Sequence, residues 1–396
     1  MAIEPRTPSS GRRGFFVSGP PARRDGAMNF DLGLIFSTTG PYAALGQAAR
    51  AGAALAIADL AREGVVRITA VERDPAGRPE AYEEMSEDLL SRGRVRHIVG
   101  AITSWSRKDL IPVLERHGAL LWYPCPYEGF EINDHVVYMG AAPNHHMIPL
   151  VRHLAGTGVR RAYLLGSNYV WGWETLRLAR EQLALLGIEI LGERYVPLGS
   201  TDCALAMQEI ADGGPDVVVN SLIGPSNAAF LAQLSALESG RPLVVSCNQS
   251  EADLDTLGAH GDGLVAAGSY FEPLGPPAFR KAAQAASPNG RVSSFLATTY
   301  ASVRLLAEAI AEAGTDDPRQ VFRAASARPH RTVLGEIRID PTTRHASLTP
   351  HVARISGRRF EILHSAPGPV AADPYLTQLS GAPRTLPDPR PLRIVK

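Results

Sequence analysis

A chain of 396 residues with 45% hydrophobic and only 20% charged content has material for two domains, each with its own core. Its 40 basic residues offset 40 acidic ones, which excludes a global field steering it onto nucleic acid or an anionic membrane. Cys125, Cys203 and Cys247 are too few, and odd in number, for a disulfide scaffold and read as free thiols.

Residues 1–27 are rich in Pro, Gly, Ser and Arg and have no period, the composition of a disordered tail. Their "GRRGFFV" has the twin arginines of an export signal but lacks the apolar run of roughly 7 to 15 residues that export requires. A cytoplasmic location is therefore expected, or a periplasmic one if the start is misassigned and Met28 marks the natural beginning. No run of about 18 apolar residues occurs, so no membrane span is expected.

From "NFDLGLIF" onward, short apolar runs alternate with longer amphipathic segments. "LGLIF" (32–36) precedes an Ala-rich helix ending at Gly64; then come "VRITAVERD", the helix "PEAYEEMSEDLLSRG", "HIVGA", the helix "SWSRKDLIPVLERHG" and "ALLWYP". This is repeated βα, the pattern of a parallel sheet covered by helices on both faces. The pattern restarts with helices at 146–156, 171–187, 201–212 and 225–239, separated by "RRAYLLGSN", "IEILGERYVPL", "DVVVNSLIG" and "PLVVSCN". Helices at about 276–288, 293–313 and 317–327 and a β-rich end follow. The expected fold is α/β: two doubly wound parallel-sheet lobes joined by a multi-strand hinge. Lobe 1 takes 28–145 and about 270–330, lobe 2 takes 146–269 and about 331–380, and 381–396 form a C-terminal tail.

In open α/β sheets, ligands sit outside the carboxyl ends of the strands, where helix N-termini present unpaired N–H groups. Those ends are "ITSWSRKD", with Thr103 and Ser104 at the expected N-cap; "YPCPYEGFE" (123–131); "SNYVWGWE", with Tyr169 and Trp171 opening a helix; "IGPSNA"; and "NQSEAD". Arg107 and Lys108 lie one turn inside their helix, so the first lobe's ends offer no fixed cation. A lining of hydroxyls, backbone amides and rings suits a small neutral polar molecule. Pro124 and Pro126 stop the strand before them and are expected to hold a backbone edge still, its carbonyls facing the ligand.

These segments resemble the type I periplasmic-binding-protein family, and within it the branch of the aliphatic amidase regulator AmiC and the urea and short-chain amide receptors of ABC transporters. The resemblance runs from about Leu32 to Tyr375 and rests on "GLIFSTTGPYA", "RDPAGRPEAY", "VGAITSWSRKDLIPVLERHGALLWYPCPYEGFE", "GSNYVWGWE", "SEADL" and "AADPYL", in that order. It implies that Ser104, Tyr123, Cys125, Tyr169 and Trp171 hold an amide; Thr103 and Pro126, from the strand-end reading, complete the expected ligand-binding set. Cys125 stands where the amidase regulator has threonine, Trp171 where it has tyrosine, and Ile102 replaces a tyrosine, making this pocket less polar. The implied partners are a small amide or urea and either an RNA-binding antitermination regulator or an ABC permease. A homo-oligomer is left open.

Plainer roles compete at several of these positions. Ser104 serves equally as a helix cap, Tyr123 and Tyr127 as core aromatics, and Trp171 and Trp173 as packing between lobes. Glu128 and Glu251 read as hinge or capping carboxylates. His145 and His146 have no third ligand at metal spacing and read as a solvated helix start. Cys125 has no histidine in any strand-end segment, and G-x-S-x-G, Walker and H-E-x-x-H motifs are absent. No catalytic residue, metal or cofactor is expected.

Overall fold

The structure, a computed structural model, describes residues 28–237 and 240–377. The tails expected at 1–27 and 381–396, residues 378–380 and the end of the helix expected at 225–239 lie outside the described residues. Strand and helix alternate through β1 (Met28–Ile35), α1 (Ala43–Glu63), β2 (Val66–Arg73), α2 (Pro79–Ser91), β3 (Val95–Gly100), α3 (Ser104–His117), β4 (Leu120–Tyr123) and β5 (Val136–Tyr138). The alternation restarts with α4 (Pro143–Ala155), β6 (Arg161–Ser167), α5 (Val170–Leu185), β7 (Glu189–Val196), α6 (Ala204–Gly213) and β8 (Val217–Ser221). It continues with α7 (Gly224–Ser235), β9 (Leu243–Ser246), α8 (Leu254–Leu257) and β10 (Val265–Gly268). Helices α9 (Pro277–Ala286), α10 (Ser294–Ala313) and α11 (Pro318–Ser326) lead to β11 (His330–Thr332), β12 (Gly335–Ile337), β13 (His351–Ser356) and β14 (Arg359–Ser365).

The first set forms a five-stranded sheet in the order β2-β1-β3-β4-β5, parallel throughout. The second forms a seven-stranded sheet, β14-β13-β10-β9-β8-β6-β7, in which β13 pairs antiparallel with both β10 and β14 and the other pairs are parallel. β4 and β8 are buried along their whole length, as parallel strands covered on both faces must be. The chain returns to the first layer with α10, whose backbone lies so close to α1 that a Cβ on Gly52 would sit 2.2 Å from the Leu296 carbonyl oxygen. Tyr300 of α10 donates to Asp59 at 2.8 Å and Arg304 pairs with Glu63 at 2.8 Å, fixing the register of the two helices.

Three segments cross between the layers, at 139–142, 268–276 and 349–350. The last lies later than the boundary expected near 331. Leu334, Ile337, Ile339, Ala346 and Leu348 still belong to the first layer's core, and His345 bridges to Tyr138, so this segment continues the first sheet beyond β5. The segment at 370–373 then closes over the first crossing: His145 donates from Nε2 to the Val370 carbonyl at 2.9 Å, and Asn144 donates to that of Ala371 at 2.8 Å.

Candidate ligand-binding cleft

In each layer the strand formed second in the chain lies outside the first, so the crevice at the strand ends opens between β1 and β3 in one layer and between β6 and β8 in the other. The residues that follow those strands and their neighbours β4 and β9 meet in one cleft. Tyr42, Leu45, Ile102, Thr103, Ser104 and Pro126 line it from the first layer, and Tyr169, Trp171, Ile223 and Asn248 from the second. Phe295, in the first turn of α10, closes one side. The cavity holds about 30 Å³, room for roughly two or three waters at about 10–15 Å³ each. No side chain lining it is a carboxylate, guanidinium, ammonium or imidazole.

The start of α3 is set by local chemistry. Ala101 takes a φ of 63°, turning the chain sharply out of β3. Thr103 is the N-cap: its hydroxyl accepts from the Ser106 N–H at 3.2 Å, and the Ser106 hydroxyl accepts from the Thr103 N–H at 3.0 Å. Ser104 is thereby left as the first helical residue, its side chain not needed for capping. Its hydroxyl donates to Glu128 Oε2. A hydroxyl has one proton, so Ser104 Oγ offers any further partner only lone pairs.

Beneath Ser104 lies a compensated charge cluster. Arg107, fully buried, pairs with Glu128 at 2.9 Å and Glu131 at 2.7 Å, and Lys108 reaches Glu131 at 2.7 Å. The Arg107 guanidinium stands 4.9 Å from the ring centres of both Tyr123 and Tyr127. Burial alone would raise the Glu131 carboxyl, but the charges and hydrogen bonds of Arg107 and Lys108 outweigh it and hold that group at about 2. Two cations face two carboxylates, and no net charge is left to attract an ionic ligand.

On the opposite wall, Tyr169 packs edge-on against Trp105 with ring centres 5.7 Å apart. Burial pushes the Tyr169 phenol well above its usual range, so it stays neutral. Trp171 is 4% exposed, and its indole N–H is buried with no hydrogen-bond partner. A buried donor left unmatched costs about 1–3 kcal/mol; this one belongs to a side chain of the cavity wall.

Of the residues the sequence singles out, Thr103, Ser104, Pro126, Tyr169 and Trp171 therefore meet at the cleft. Tyr123 and Cys125 are buried outside its lining. Cys125 points its thiol at the Ala101 carbonyl at 3.4 Å, and burial pushes that thiol far above the usual range, the opposite of an activated nucleophile.

Three expectations are corrected. Two carbonyls of the proline-rich segment are spent on the first crossing rather than facing a ligand: that of Tyr123 accepts from the Met139 N–H at 2.9 Å, and that of Tyr127 accepts from His146 at 3.1 Å. His145 and His146 are not solvated but fully buried beneath the 370–373 segment and the Tyr127 backbone, and burial lowers both to about 4. Trp173 neither lines the cleft nor packs between lobes; it is 43% exposed and donates to Asn168 at 2.9 Å. Sequence reasoning passed over Tyr42, Leu45 and Phe295. Tyr42 and Leu45 follow β1 and obey the strand-end rule, whereas Phe295 follows no strand of a parallel sheet and enters only through the packing of α10.

Comparison with known proteins places this geometry. A family model described as a periplasmic binding protein domain matches residues 30–381. The chain is 22% identical over 339 residues to Leu/Ile/Val-binding protein homolog 6 of Brucella melitensis biotype 1, covering 82% of this chain and 87% of that protein. It superposes on an ABC-transporter solute-binding protein of Rhodopseudomonas palustris in complex with 4-hydroxybenzoate, with a TM-score of 0.77 at 20% identity, over 85% of this chain and 97% of the other. It likewise superposes on the branched-chain amino acid transporter substrate-binding protein LivJ of Streptococcus pneumoniae in complex with isoleucine, with a TM-score of 0.74 at 17% identity, over 86% and 99%. Two parallel-sheet lobes, three crossings and a cleft at facing strand ends, matched over nearly the whole described length, make this chain a member of the periplasmic binding protein family.

Proposed function

We propose that the chain is the substrate-binding component of an ABC importer and that it captures a small, uncharged, amide- or urea-like solute by closure of its lobes. One observation carries the choice of solute: the cleft wall holds an acceptor, Ser104 Oγ, whose one proton is engaged in a hydrogen bond to Glu128, and it holds Trp171, whose buried indole N–H has no partner. A carboxamide carries both complements, N–H and C=O, on adjacent atoms. A carboxylate would meet the Ser104 lone pairs with its own, beside a cluster that has no net charge to hold it. The transporter reading is favoured over a cytoplasmic amidase regulator because both solved structures named above are transporter binding proteins, and it carries a periplasmic location and a permease partner with it. No helix among the described residues is long and apolar enough to cross a membrane.

Because Ser104 and Trp171 stand on opposite layers, a solute touching both gains its second contact only in the closed state, which is then favoured by that difference. An amide of about four heavy atoms gains at most about −6 kcal/mol, a dissociation constant of tens of micromolar. Calorimetry with formamide, acetamide, propionamide and urea, set beside benzoate and leucine, tests the reading. Binding of an amide or urea in that range is expected; binding of benzoate or leucine with no amide bound would overturn it.

A further inference from the structure

A second cavity, of about 570 Å³, shares no residue with the cleft. Glu251, Arg359 and Phe360 wall it from the seven-stranded layer, Glu272 from the second crossing, and Arg280 from α9, whose Phe279 and Ala283 sit in the other layer's core. Its volume is that of a small-molecule site, and its walls come from both layers.

The hydrogen bonds of its polar groups can be followed one by one. Glu272 is spent: its two oxygens accept from the Gln284 side chain at 2.5 Å and the Val292 N–H at 2.8 Å. Arg291 is spent on Asp255 at 2.8 Å and on the Arg358 carbonyl at 3.0 Å. Three ionisable side chains remain. Arg280 has a buried Nε with no partner, and the side chain of the exposed Arg359 makes no ion pair or hydrogen bond among the described residues. Glu251 is 2% exposed; one oxygen accepts from the Glu272 N–H at 2.6 Å and the other, buried, has no partner. Burial raises the Glu251 carboxyl to about 8, so near neutral pH it keeps its proton and the unmatched oxygen is a donor. All three are donors, and two carry positive charge, beside the apolar face of Phe360.

We propose that this cavity is a binding site for a small organic anion, its carboxylate held by Arg280 and Arg359 and its carbon skeleton against Phe360. Such an occupant is of different chemistry from the cleft's solute, and the proposal does not depend on what the cleft binds. Succinate titrated into the full chain by calorimetry, with sulfate as a parallel probe, tests it. One succinate per chain is expected to bind. An Arg280→Gln, Arg359→Gln double variant with an unchanged circular-dichroism melt is expected to bind it at least about tenfold more weakly, through loss of two charge-assisted contacts. Saturating acetamide is expected to leave the stoichiometry at one. Undiminished affinity in the double variant, no succinate binding at all, or loss of the succinate site on adding acetamide would overturn the site; sulfate binding as tightly as succinate would overturn the organic class.

Discussion

Ser104 has one hydroxyl proton, which it donates in a hydrogen bond to Glu128, and the amide selectivity proposed for the cleft rests on that bond. Replacing Trp171 by Phe keeps the ring and removes the unmatched N–H, so amide affinity should fall by about five- to tenfold, the worth of roughly 1 kcal/mol, while fold stability is kept or slightly raised. Calorimetry paired with urea denaturation separates the two effects. Glu128→Gln strips a charge facing the buried Arg107, and the expected cost is roughly 3 kcal/mol of stability, read from the denaturation midpoint. At this scale the sequence told which residues follow strands, because strand ends are local; hence Thr103, Ser104, Pro126, Tyr169 and Trp171 were legible. What was hidden depended on contacts far along the chain. His145 is covered by Val370, 225 positions away, and neither that cover nor the approach of Phe295 leaves a local mark.

At the level of elements, the proline-rich turn and the first crossing are built as one piece. A Cβ on Gly140 would lie 1.8 Å from the Cys125 carbonyl oxygen, a contact with backbone that no rotamer can relieve. Gly140→Ala should therefore cost roughly 1–3 kcal/mol. Gly368→Ala, where a Cβ meets nothing within 4 Å, should change stability by less than about 0.5 kcal/mol. Chemical denaturation of the two variants checks the contrast. The βα alternation exposed most strands and helices, since a period of 3.6 set against short apolar runs is a strong signal. The allegiance of β11 and β12 was not exposed, because a short hairpin with an apolar face does not reveal which of two cores that face meets.

Considered whole, the molecule carries an asymmetric set of buried titratable groups. Burial lowers His97, His145, His146, His345 and His351 to about 4 each. The unfolded chain titrates them near 6.5 and so binds more protons between those values; stability must fall as pH drops through that window. Glu131, held at about 2, adds a further loss below its unfolded value of about 4.5. Glu251 and Asp253, raised by burial to about 8 and about 6, act oppositely, losing stability as pH rises through those values. The five histidines outnumber the two acids, so the denaturation midpoint should fall steadily from pH 7 to pH 4; a flat profile would contradict the burial of these rings. Two lobes and the return of the chain to the first were foreseeable from the restarted pattern, but the stay of 331–348 in the first layer was not, as it depends on His345 finding Tyr138 across the fold.

The segment that closes over the first crossing has a practical use. Tyr375 is 46% exposed there, its ring edge-on to Phe130 at 6.1 Å, while all three native thiols are shielded. A Tyr375→Cys protein would present a single accessible thiol for a maleimide dye, seated directly on the joint, and would report solute capture as a change in emission without any label entering the cleft.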